Sequence, residues 1–266
     1  MTASQAVVLG VVQGLTEFLP ISSSGHLILV PTLLGWPDQG LAFDAAVHLG
    51  TALALLCYFG RELIRIGVGA VAGYRADRRL AVAIVIGSAP AGLAGLLLEH
   101  ALEAQLRSAM VVALSLIGWG LVLWWADRRA ARAEVHDLRT VGVARALAIG
   151  CAQAVALIPG TSRSGITLSA GLFAGLDRST AARFAFLLGL PITAAAGLLK
   201  TGVLLRSDLT PADASALGLG LLTSFAAGLA AVWFLVRYLQ RGTLTAFVVY
   251  RIALGLLILW LLVAPK

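Results

Sequence analysis

Six stretches of roughly 20 mostly apolar residues recur along this 266-residue chain, near 41–60, 80–98, 108–126, 181–199, 216–236 and 245–263. A helix rising about 1.5 Å per residue needs about 20 such residues to cross a bilayer's hydrocarbon core. Inside that core each backbone N–H and C=O must be satisfied within the segment, so a chain built this way folds as membrane-spanning helices. Composition agrees. Hydrophobic residues make up 59% of the chain and charged residues only 12%, where a soluble domain carries about 25%.

Two further apolar segments, 5–35 and 146–175, are interrupted at their centres. The first break is Pro20-Ile21-Ser22-Ser23-Ser24-Gly25, the second Pro159-Gly160-Thr161-Ser162-Arg163-Ser164-Gly165. Each half is too short to span. The pattern predicts two re-entrant helical hairpins, because irregular backbone at membrane depth is tolerated only where it is buried in protein or lines a cavity. The expected fold is therefore an all-α integral membrane protein of six transmembrane helices plus two re-entrant hairpins, with its site at the breaks.

The net charge is +7. In a soluble protein that excess would suggest nucleic acid. Here the arginines cluster in short connections, which reads as topology and gives no reason to expect a nucleic-acid partner. Segment 61–79 carries Arg61, Arg65, Arg75, Arg78 and Arg79, and segment 127–145 carries Arg128, Arg129, Arg132, Arg139 and Arg145. Arg178, Arg183, Arg237 and Arg241 flank later spans on the same side. The opposite side receives only Arg107, Lys200, Arg206 and Lys266. The rich side is predicted to be cytoplasmic, with both termini outside, the first hairpin entering from outside and the second from inside. No basic residue precedes the first apolar run, so no cleavable signal peptide is expected. Cys57 and Cys151 lie in apolar stretches, where they imply structural fillers and no disulfide framework.

The chain also repeats. At an offset of 140, Gly10, Gln13, Ser22, Ser24 and Gly25 match Gly150, Gln153, Ser162, Ser164 and Gly165. Further on, Ser88-Ala89-Pro90-Ala91-Gly92-Leu93-Ala94 resembles Ser224-Phe225-Ala226-Ala227-Gly228-Leu229-Ala230. Residues 1–266 read as a single membrane domain of two repeats, 1–127 and 140–266. Each holds one hairpin and three spans. Three is odd, so the second copy is expected upside down, with the site at the repeat interface.

Ionisable groups are expensive in lipid and are functional candidates by default. The breaks hold Glu17, His26 and Arg163. A guanidinium matches phosphate oxygens in bidentate fashion. Ser22, Ser23, Ser24 and Gly25, and likewise Thr161, Ser162, Ser164 and Gly165, deliver hydroxyls and backbone N–H groups at helix N-termini, a ready anion site. Glu17 suits a hard cation such as Mg²⁺ or Ca²⁺, and His26 a general acid or base. A serine beside a base can be a nucleophile. Gln13 and Gln153 fit better as amides bridging the hairpins. His48 and Arg251 read as polar helix-packing groups, and the basic connections also suit contact with anionic membrane lipids.

The run Gln13-Gly14-Leu15-Thr16-Glu17-Phe18-Leu19-Pro20-Ile21-Ser22-Ser23-Ser24-Gly25-His26 resembles the first signature of the bacterial undecaprenyl pyrophosphate phosphatase family, also linked to bacitracin resistance. Pro159 to Gly165 resembles its second signature. The resemblance implies hydrolysis of undecaprenyl diphosphate to the monophosphate and inorganic phosphate, which regenerates the carrier lipid for cell-wall precursors. It implies a metal-dependent site opening to the outer face of the cytoplasmic membrane. Functional residues carry over to Glu17, Ser23, His26 and Arg163, with Ser22, Ser24, Ser162 and Ser164 in support. Many members have Glu where this chain has Gln13, so a metal would rest chiefly on Glu17. Two chemistries stay open, attack by Ser23 or attack by a metal-bound water. A rival class is a transporter or flippase of a lipid phosphate or other anion, since broken helices in inverted repeats also mark transporters. Glycine-rich Gly60–Gly73 could pack internally or between subunits of a homo-oligomer.

Overall fold

The computed structural model describes residues 1–106, 108–204 and 210–264. Among the described residues the regular elements are α-helices, with short 3₁₀ turns and one isolated bridge between Val135 and Leu176. In chain order they are α1 (Ala3–Phe18), α2 (Ser23–Leu34), α3 (Gly40–Val71), α4 (Arg75–Leu106), α5 (Ala109–Arg129), α6 (Val143–Ala154), α7 (Arg163–Phe173), α8 (Arg178–Leu204), α9 (Pro211–Tyr238) and α10 (Thr245–Val263).

Six of them, α3, α4, α5, α8, α9 and α10, are long and apolar enough to cross a membrane. They coincide with the six expected stretches. Their outer surfaces are apolar too: Leu96, Leu97, Trp260 and Val263 are all exposed. The most apolar, α10, has a mean hydropathy of 2.4 yet buries only 22% of its residues against protein. Apolar surface on that scale requires lipid as its solvent, so this is a multi-pass membrane protein.

The expected connection 61–79 is mostly helix. α3 runs on to Val71 and α4 begins at Arg75. Ile66 packs into the main core with Leu63 beside it, and Arg61 and Arg65 are exposed on the same helix, where long stems can lie over apolar surface. Segment 127–145 is likewise partly ordered, with Leu138 and Val141 buried. On the opposite side, Arg107, Arg206 and Lys266 lie outside the described residues, as does the Lys200 side chain. Cys57 and Cys151 are exposed, so neither fills the core. The outward faces of these helices are lined with small and apolar groups, and a thiol is tolerated there.

Glycines set the closest helix contacts. α1 lies along α9, where a Cβ on Gly10 would overlap Thr223 and the Gly220 carbonyl, and one on Gly14 would meet the Ser224 carbonyl. α6 lies along α4, where a Cβ on Gly150 would overlap the Gly87 carbonyl. α3 packs between α8 and α9, and α5 packs on α10. At the arginine-rich end, Arg128 lies 3.9 Å over the Trp124 ring and Arg237 5.4 Å over Trp233. Trp and Arg together at helix ends are characteristic of a membrane–water interface.

Candidate active site

The two breaks have one local geometry. Ser22 and Ser162 are the only described non-glycine residues with positive φ, at 75° and 70°. An L-residue held there costs about 1–2 kcal/mol. Each serine offsets that by capping the helix that follows. Ser22 Oγ accepts from Gly25 N at 3.4 Å and Ser162 Oγ from Gly165 N at 3.2 Å. Each also lies close to the hydroxyl two residues on, Ser22 to Ser24 at 3.3 Å and Ser162 to Ser164 at 3.2 Å. The backbone N–H groups at the start of α2 and of α7 have no carbonyl a turn behind them.

The breaks interlock. Gly160 N donates to Ser24 Oγ at 3.3 Å, and Ser164 Oγ donates to the Leu19 carbonyl at 3.2 Å. Arg251 of α10 then clamps both. It is fully buried and donates to the carbonyls of Pro20 in the first break, Gly160 and Thr161 in the second, and Ser115 and Leu116 of α5, all at 3.0–3.3 Å. Arg251 is therefore more than the helix-packing group the sequence suggested. Three of its five acceptors are carbonyls of the breaks and two belong to α5.

Glu17 is the hub of the site, with its side chain 6% exposed. Ser23 Oγ donates to Glu17 Oε2 at 2.7 Å, and Gln13 Nε2 to the same oxygen at 3.0 Å. Arg163 donates through one terminal nitrogen to Glu17 Oε1 at 2.7 Å, and through the other to Thr193 Oγ1 of α8 at 2.6 Å. Residues of both motifs, 146 positions apart, thus meet at one carboxylate. His48 of α3, read from sequence as a packing group, also reaches the site, with Nε2 3.8 Å from Glu17 Oε2.

His26, expected as a general acid or base, is turned away from Ser23. It is buried, its Nδ1 lies 2.7 Å from the Ser22 carbonyl, and its Nε2 lies 2.7 Å from the Tyr250 hydroxyl. A carbonyl only accepts, so Nδ1 carries the proton. In the neutral ring Nε2 then accepts from Tyr250. Among the described residues no hydrogen bond joins His26 to Ser23, because the Ser22 carbonyl and Tyr250 hold the ring toward α10. Gln153 does not bridge the hairpins either. Its amide is buried and both polar atoms lack a partner, as do Gln13 Oε1 and Thr161 Oγ1. Thr193 and Tyr250 were missed from the sequence. Tyr250 adjoins Arg251, the one polar pair in the middle of the most apolar span, and that was the available signal. Thr193 had none.

Between Glu17, Arg163, Thr167, Gly189 and Thr193 lies a cavity of about 20 Å³. That is room for one or two waters, so this arrangement is closed to a diphosphate. A larger cavity of about 300 Å³ opens at the arginine-rich end, between Tyr58, Glu62, Ser179, Arg183 and Gln240. It is a separate space. Its Glu62 is held by Arg183 at 2.8 Å, and Phe59, Phe186 and Phe18 stand ring against ring between it and Glu17.

The family model described as bacitracin resistance protein BacA matches residues 6–257. The chain belongs to this family. It is 47% identical to undecaprenyl-diphosphatase 2 of Stutzerimonas stutzeri (strain A1501), over 97% of this chain and 98% of that one. It is 47% identical to the undecaprenyl-diphosphatase of Hahella chejuensis (strain KCTC 2396), over 99% and 100%. It is 45% identical to that of Moorella thermoacetica (strain ATCC 39073 / JCM 9320), over 97% of each. Both motifs fall within the matched region of this family member.

Proposed function

We propose that this family member is an undecaprenyl-diphosphatase, hydrolysing the lipid diphosphate to the monophosphate and inorganic phosphate and so recycling the cell-wall carrier lipid. The observation that carries this reading is the meeting of Ser23, Glu17 and Arg163 at one point. A phosphoryl group bound there replaces Glu17 as partner of the Arg163 guanidinium. The first-turn N–H groups of α2 and α7 face the remaining oxygens. Positioning and charge neutralisation of this kind carry most of phosphoryl-transfer catalysis. Glu17 Oε2 accepts the Ser23 proton in the resting site, which favours Ser23 as the attacking group. His26 makes no contact that activates Ser23, and it fits proton delivery to the leaving oxygen only in the state where Nε2 is itself protonated.

The donor set also fits a divalent cation such as Mg²⁺. Gln13 Oε1 is a buried oxygen without a partner on the amide that already touches Glu17, so Glu17 and Gln13 would hold the ion. Bound there, it would neutralise diphosphate oxygens.

The helix–break–helix pairs are re-entrant hairpins in this proposal, and the halves 1–127 and 140–266 are inverted repeats. Gly10 of α1 meets Thr223 of α9, while Gly150 of α6 meets Gly87 of α4. Positions 87 and 223 correspond at the offset that relates Ser88–Ala94 to Ser224–Ala230. Each first helix thus packs on the other half's fourth. The Trp–Arg pairs support the arginine-rich end as the cytoplasmic interface, which leaves the first hairpin open to the outside of the cytoplasmic membrane.

The test is phosphate release from a polyprenyl diphosphate by purified protein in detergent, with and without chelator, beside Glu17→Ala and Arg163→Ala. Release that needs metal and disappears in both variants is expected. A folded wild type that releases none under any metal would sink the hydrolase reading, and lipid-phosphate transport in liposomes would replace it.

A further inference from the structure

We infer that His48 is a ligand of the divalent cation at Glu17, making the site a mixed nitrogen–oxygen centre. This rests on reading Glu17 and Gln13 as the metal holders, and it adds a donor from a third element, α3. His48 Nδ1 lies 2.7 Å from the Asp44 carbonyl. That carbonyl can only accept, so the Nδ1 proton is fixed and the ring is oriented with Nε2 free. Backing a ring nitrogen with a backbone carbonyl in this way is how proteins set a metal-binding histidine.

Nε2 stands 3.8 Å from Glu17 Oε2. That separation is too long for a hydrogen bond. It is within the span of two donors on one small cation, each at about 2.0–2.2 Å. Gln13 Oε1 is the second observation: it is buried, unpartnered, and belongs to the amide already lying on Glu17 Oε2. Rotating that amide exchanges its nitrogen for its oxygen at the carboxylate. Glu17 Oε2 is then flanked by two further acceptors, Gln13 Oε1 and His48 Nε2, and a cation is the group that reconciles them. The His48 side chain is 32% exposed, so the site is reachable from outside the protein.

The ligand class follows from the nitrogen. Ca²⁺ takes oxygen donors, whereas imidazole suits first-row ions, Zn²⁺ above all, and Mn²⁺ takes it beside carboxylate and water oxygens. An imidazole at the site should raise its affinity for such ions and leave Ca²⁺ to the oxygen donors.

Mn²⁺ is the probe, titrated into the full chain in detergent and followed by electron paramagnetic resonance, with pulsed measurements for nitrogen coupling. Coupling to one imidazole nitrogen is expected in the wild type, kept in His26→Leu and lost in His48→Leu. Mn²⁺ affinity should fall about 10–100-fold in His48→Leu, with Ca²⁺ affinity unchanged. His48→Gln, which keeps a polar oxygen donor, should lose the imidazole nitrogen coupling and still bind Ca²⁺, which guards against a misfolded leucine variant. The inference is overturned if Mn²⁺ binds without nitrogen coupling, if it binds His48→Leu as tightly as wild type, or if it does not bind the wild type. Phosphate release that needs Glu17 and Arg163, with no nitrogen on Mn²⁺, would remove His48 and leave the hydrolase. Nitrogen on Mn²⁺ with no phosphate release would do the reverse.

Discussion

Ser23 touches the carboxylate and His26 touches a tyrosine, and that division sets what single substitutions should do. If Ser23 attacks, Ser23→Ala abolishes phosphate release and acid-quenched wild type carries phosphate on Ser23. Full activity in Ser23→Ala would leave the water route. If His26 carries a proton in the reaction, His26→Ala should lower kcat by about 10²–10⁴-fold. Tyr250→Phe removes one hydrogen bond to that group, worth about 1 kcal/mol, so steady-state kinetics should show a loss of no more than about tenfold. Equal losses in both would mean that Tyr250 itself moves the proton. At this scale Glu17, Ser23 and Arg163 were legible because charge and hydroxyl density inside an apolar segment are themselves the signal. The orientation of His26 was not legible. It depends on Tyr250, 224 residues away, and no periodicity links the two. The approach of His48 to Glu17 was not legible either, because one histidine in a long span looks the same whether it faces packing or a carboxylate.

The helices were legible from apolar length, and the breaks from their Pro, Gly and Ser. Where α3 ends was not, because arginines suggested a connection while Ile66 and Leu63 on the same turn kept the helix docked. Contacts between elements were partly visible as the repeated glycines. Gly150 sits so close to the Gly87 carbonyl that any side chain forces α6 off α4. Gly150→Val should destabilise the protein by about 1–3 kcal/mol, the usual cost of overpacking, seen as a lowered unfolding temperature in detergent. Gly60→Val, where a Cβ would meet nothing, is the control and should unfold near the wild-type temperature. A large loss at Gly60 would point instead to a contact between copies of the chain.

For the whole molecule, the number of spans followed from hydropathy, and their sidedness rests on arginine placement. Single cysteines placed at Asp38 and at Glu134, in a chain with Cys57 and Cys151 replaced, should label from opposite sides of right-side-out vesicles. Asp38 is expected outside and Glu134 inside. Labelling of both from one side would dismiss the inverted arrangement. The closed cavity at Glu17 means that substrate entry requires the two breaks to part, and Arg251 limits how they can do so. Arg251 also belongs to α10, which leaves the ribosome after both motifs. Until α10 is made and inserted, the carbonyls of Pro20, Gly160 and Thr161 have no guanidinium to gather them. A chain interrupted before α10 therefore carries both motifs with only the Gly160–Ser24 and Ser164–Leu19 bonds to join them, and the clamp arrives after the parts it holds.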